Sequence, residues 1–136
     1  MHRVTLFRDR PRPVQIALGG AVPLIFGAIV GIVLGVSTGA YWALAVVAGI
    51  GAIVAGFEHQ DGWGGADRGL VGGVLFAIGI LVAHAIAGTH AKVSLGSFPP
   101  LLIVIDAIFG MLLGALGGRI ARGLRARREP ADEAPA

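Results

Sequence analysis

The chain has 136 residues, of which 55% are hydrophobic and only 14% charged, against roughly 45–50% and about 25% in a soluble domain. Its 23 glycines are more than twice the usual ~7% share and follow no collagen period. They are interleaved with Ala, Ile, Val and Leu, the mixture of closely packed membrane helices. The sequence contains no cysteine, which excludes disulfides, iron–sulfur clusters and thiol catalysis.

Net charge is +3, and nine of the eleven basic residues sit at the two ends: Arg3, Arg8, Arg10 and Arg12, then Arg119, Arg122, Arg125, Arg127 and Arg128. Scattered over a soluble domain, such an excess would raise the question of nucleic acid. Gathered beside apolar runs it reads as a topology signal, and no nucleic-acid partner is expected.

A basic N-terminal segment, 1–13, precedes four apolar runs at 14–36, 40–57, 69–88 and 99–118. Lengths of 18 to 23 residues correspond to roughly 27–34 Å of helix, enough to cross a ~30 Å hydrocarbon layer. The expected fold is all-α: an integral membrane four-helix bundle over 14–118, with short loops and glycine-rich helix–helix faces. The first run exceeds the h-region of a signal peptide and is followed by no A-x-A site, so it is expected to remain in the mature protein. Pro23 removes one helical hydrogen bond and should kink this span. Ser97 is placed to cap the fourth helix, with Pro99 and Pro100 in its first turn. The tail 119–136, basic and then acidic and proline-bearing, is expected to be disordered.

An even number of spans places both termini on one side together with Arg68, leaving only Lys92 on the other. The positive-inside rule then puts both termini and the loop Glu58–Arg68 in the cytoplasm, with the protein in the cell inner membrane. Tyr41, Trp42 and Phe98 fall at the outer ends of spans, and Phe57 and Trp63 near the inner ends, as aromatic belts require.

Glycines recur at four-residue spacing. Gly27, Gly31, Gly35 and Gly39 form one row on the first span, and Gly110, Gly114 and Gly118 another on the fourth. In lipid, helices associate through close approach rather than hydrophobic force, and rows of small residues provide it. Two readings follow: a glycine zipper driving homo-oligomerisation or contact with another membrane protein, and packing within one bundle.

Asp106 is the most informative single residue, because a carboxylate within a span costs at least ~2.5 kcal/mol unless paired, protonated or wetted. It shares a row with Gly110, Gly114 and Gly118. His84 in the third span lies at nearly the same depth if both spans end at one boundary, so an Asp106–His84 hydrogen bond is expected. Such a pair is either a proton or ion path or a neutral clamp between helices. Glu58, Asp61, Asp67 and Arg68 lie with His59 in a glycine-rich loop whose spacing matches neither an EF-hand nor a His-x-x-x-His metal site. The loop reads as a solvated turn, with Asp67 near the start of the third helix. Arginines 119–128 are candidates for anionic lipid headgroups. No nucleophile stands with a base, so neither catalytic residues, metal nor cofactor are expected.

Gly62-Trp63, the run Gly69 to Gly73 and the closing Gly110 to Gly118 resemble small four-helix bacterial membrane proteins of the YrzE type, over roughly the last 65 residues. The resemblance implies an integral membrane protein and carries no activity with it. The expected role is structural or accessory and non-enzymatic, with self-association through glycine faces. The alternative is an ion or proton channel or transporter built on Asp106 and His84.

Overall fold

Proline and short polar side chains set the helix starts. The computed structural model describes residues 5–132, and side chains as far as Arg128. Arg3 and residues 133–136, parts of the basic segment and of the tail, lie outside the described residues. Helix α1 (Arg12–Leu34) carries Pro13 in its first turn, where no N–H is needed. Helix α2 (Thr38–Gly56) is capped by the Ser37 hydroxyl, which accepts from the Ala40 N–H at 3.3 Å. Asp61 does the same for α3 (Gly62–Ala87), accepting from Gly64 at 2.8 Å. That helix ends on Gly88 in the left-handed conformation, φ 63°, which glycine adopts without a Cβ penalty. Pro99 and Pro100 lie in a tight turn just ahead of α4 (Leu101–Asp132), with the Leu101 and Leu102 amides donating to Phe98 and Pro99 at 3.0 Å.

All four are long and apolar enough to cross a membrane. Three boundaries differ from expectation. Helix α3 starts at Gly62 rather than Gly69, because Asp61, not Asp67, is the cap; residues expected in a loop form its first two turns. Helix α4 does not stop at Gly118 but continues to Asp132, so residues expected to be a disordered tail are helical. No cap comes from Ser97; backbone bonds of the proline turn start α4 instead.

Glycine rows close the bundle. Across α3 and α4, Gly65, Gly69 and Gly73 face Gly114, Gly110 and Asp106 backbone to backbone. A β-carbon on Gly69 would stand 2.6 Å from the Gly110 carbonyl carbon, and one on Gly73 2.7 Å from that of Asp106. Gly118 meets the backbone of Asp61 and Gly62, and Gly117 meets that of Ile53 and Gly56, bringing α2 against α4. On α1, Gly27 and Gly31 lie on the backbone of Phe76 and Ile80 of α3, and just past its end Gly35 lies on Thr89. The rows expected to recruit a second copy are therefore covered within the chain. Gly39 alone among them borders open space, with nothing inside 4 Å of the point where a β-carbon would stand.

Side-chain burial is sparse. Val30, Leu34, Tyr41 and Ile80 form a small cluster, roofed by Val93 and Leu95 of the connection between α3 and α4. Lys92 fastens that connection: its N–H donates to Leu34 O at 2.8 Å, and its carbonyl accepts from Thr38 Oγ1 at 3.3 Å. Most other large apolar side chains point outward, including Ile25, Ile29 and Ile32 on α1, Val46, Val47 and Ile50 on α2, and Val104, Ile108 and Leu112 on α4. Surfaces of this extent are rare on soluble monomers and suit a lipid solvent. Trp63 is 81% exposed at the start of α3, whereas Tyr41, expected at the membrane boundary, is buried in the core.

Gly69→Val should lower the thermal midpoint in mild detergent, because two backbones must separate; overpacking alone costs about 1–3 kcal/mol. Gly51→Ala, where nothing lies within 4 Å, should leave the midpoint unchanged. Equal tolerance at both positions would contradict the backbone crossing.

Candidate functional site

Polar side chains converge at one end of the bundle. The cause begins in α1, where Pro23 has no N–H to offer the turn before it. Residues Ala17–Ala21 widen into a π turn, with the Val22 N–H reaching back five residues to Ala17 O. In an α pattern the N–H of residue 23 would serve the Gly19 carbonyl and in a π pattern that of Leu18, and proline offers it to neither. Arg68 donates to both carbonyls from the second turn of α3, through Nη2 to Leu18 and through Nη1 to Gly19 at 3.1 Å. A neighbouring helix thus satisfies backbone that proline has freed, as apolar surroundings demand.

The segment before α1 folds over this junction. Phe7 lies with its ring centre 5.0 Å from the Arg68 guanidinium and 5.6 Å from the His59 ring, stacked on the latter. Its N–H donates to Glu58 O at 3.1 Å, and Arg10 Nη2 donates to Glu58 Oε1 at 2.6 Å. From the far end of α4, Arg125 donates to the carbonyls of Phe57 at 2.7 Å and His59 at 2.9 Å. The N-terminal segment, the loop after α2 and the helical extension of α4 therefore occupy one end of the molecule, the arrangement that the charge distribution implied.

His59 is half-buried there, and its Nδ1–H donates to Ala55 O at 3.2 Å. Burial holds its pKa below the ordinary value, opposed by the Ala55 bond and Glu58 and assisted by Arg68 and Arg8. The remaining loop residues have separate tasks: Glu58 is paired with Arg10, Asp61 caps α3, and Asp67 is exposed on α3. Among the described residues no three His, Asp or Glu side chains converge as metal ligands would.

The expected Asp106–His84 pair is not brought together. The Asp106 backbone lies against Gly73, and His84 is eleven residues further along α3, roughly 16 Å of helix. Equal depth requires equal helix ends, but α3 rises well beyond the first residue of α4 and the 88–100 connection spans the difference. Asp106 Oδ2 and His84 Nδ1 are each buried without a hydrogen-bond partner.

Sequence reasoning assigned Arg68 to a loop and so missed its role. The available signal was Pro23 inside one span together with an arginine at the start of another. No family model, curated protein or solved structure matches the chain.

Two outcomes test this site. Arg68→Met should destabilise by about 1–3 kcal/mol through two unpaired carbonyls, and Pro23→Ala, which restores a backbone N–H, should reduce that loss in a double-mutant cycle; strict additivity would separate the two residues. A histidine held neutral by folding contributes stability that is complete above its unfolded pKa of about 6.5 and declines as pH falls from there toward the lower folded value. The thermal midpoint should accordingly fall on acidification through that window, and His59→Phe, which keeps a ring against Phe7, should flatten the response.

Proposed function

We propose that the chain is a multi-pass integral protein of the cell inner membrane with a structural or accessory role, its termini and the 57–61 loop in the cytoplasm, and no catalytic activity of its own. The observation that carries this reading is the backbone-to-backbone closure of α3 on α4 along Gly65, Gly69 and Gly73. A crossing so close leaves no room for a lumen between the two central helices. A groove of about 400 Å³ between α1 and α3 opens outward and is lined by Leu24, Ala28, Ile78, Gly79, Val82 and Ile86 among apolar residues only. The arginines Arg10, Arg68 and Arg125 gather at one end, where they hold backbone and a carboxylate rather than frame a cleft. Basic residues on that end favour the cytoplasmic side.

Self-association through the glycine rows of α1 and α4 is not part of this reading, since those rows are already occupied. A second copy or another membrane protein has the exposed faces of α2 and α4 to meet.

One observation favours a conductor: Asp106 Oδ2 is buried in a span without a partner, and intramembrane carboxylates mark ion and proton paths. Ion and proton flux into proteoliposomes, compared with empty vesicles and with Asp106→Asn, separates the readings. The accessory role expects no flux between about pH 5 and about pH 8, the range over which histidine titrates, with the variant still folded. Flux that Asp106→Asn abolishes would replace it with the conductor.

A further inference from the structure

We propose that α4 carries a seat for one acidic phospholipid of the leaflet at the basic end, formed by the row Leu112, Leu116, Ile120, Leu124 and Arg128. This rests on the chain being membrane-spanning. Residues four apart share one face of a helix, and all five are exposed. Leu112 to Ile120 covers roughly 12 Å, most of one half of a ~30 Å hydrocarbon layer, and Leu124 and Arg128 follow past the end of the apolar run, on the headgroup side. The row is therefore an acyl-chain track that runs outward from mid-membrane and ends on an arginine.

At that end the surface is shaped for a headgroup. A groove of about 150 Å³ is lined by Phe57, Ala121, Leu124, Arg125 and Arg128. Three of the lining residues are apolar and the other two are arginines. Arg125 is fixed by its bonds to the Phe57 and His59 carbonyls, so its charge cannot swing away into water. Among the described residues no carboxylate lines the groove; Glu58 is paired with Arg10 and Asp61 is engaged at the α3 cap. A phosphate with no cationic partner of its own complements this wall, whereas a zwitterionic headgroup would bring an ammonium against the arginines. Continuity of the apolar row with the charged groove selects a lipid over a free phosphate, which has no use for the row.

The experiment is native mass spectrometry of the full-length protein in mild detergent with an equal mixture of phosphatidylglycerol and phosphatidylcholine. Phosphatidylglycerol should be retained preferentially. Arg128→Gln should reduce its retention about fivefold, the equivalent of the ~1 kcal/mol that one basic residue contributes at an anionic surface. Leu124→Gln should also reduce it, and Arg122→Gln, the same charge change off the row, should not. Equal loss with Arg122→Gln would reduce the seat to a diffuse field, equal retention of the two lipids would remove it, and competition by soluble glycerol phosphate as effective as by phosphatidylglycerol would make it a phosphate site. Alkaline carbonate extraction of membranes separates the two levels of failure: release of the protein overturns the membrane reading itself, whereas an embedded protein without lipid preference overturns only the seat.

Discussion

Everything in this molecule is built around an approach of two helices that only glycine permits. Where α3 crosses α4, the backbone of Gly69 lies on that of Gly110, and Gly65 and Gly73 repeat the contact a turn to either side. In water such a contact would offer little, because glycine buries no apolar side chain and loses the most conformational freedom on ordering. In lipid the balance differs: outward side chains gain nothing by turning inward, and van der Waals contact between backbones becomes the main attraction. This explains why the side-chain core is so small and why large aliphatics on every helix face outward.

A second constraint follows from the same solvent. Any carbonyl freed within an apolar layer must find a donor in the protein. Pro23 frees carbonyls of α1, the π turn shifts the pattern, and Arg68 reaches across from α3 to meet it. The arginine is then available as a platform for Phe7, and Phe7 brings the N-terminal segment onto Glu58 and His59. A single backbone defect thereby organises one end of the bundle. Arg125 joins it from α4, so three separate stretches of chain meet where the positive charge is concentrated. The Arg125 guanidinium, fixed in this way, contributes to the electrostatic character of the α4 groove.

The opposite end is organised by apolar contact and one strap. Val93 and Leu95 cover the cluster of Val30, Leu34, Tyr41 and Ile80, while Lys92 binds the turn between α1 and α2 through its backbone. Because this connection descends from the top of α3 to a lower start of α4, the two helices are offset. His84 stays near the strap and Asp106 lies about three turns deeper along α3. Two polar residues that resembled partners are thus left as separate, individually unpaired groups.

The number and approximate limits of the spans, the all-helical class and the grouping of the terminal segments with a loop read at 58–68 follow from the sequence alone, because twenty-residue apolar runs and basic flanks are large signals that a bilayer imposes on any fold; that only 57–61 stays a loop does not. The four-residue glycine spacing likewise marked which helix faces come close. Which faces meet which was beyond the sequence: a row of small residues is equally suited to a partner in the same chain or in another, and only the folded chain shows Gly110, Gly114 and Gly118 consumed by α3. Helix offset was also hidden, since hydropathy shows where a helix can lie and not how far it slides along its neighbour, and that sliding separates Asp106 from His84. The assignment of Arg68 to the carbonyls of Leu18 and Gly19 depended on distance across fifty residues of chain, a relation that exists only once α1 and α3 are side by side.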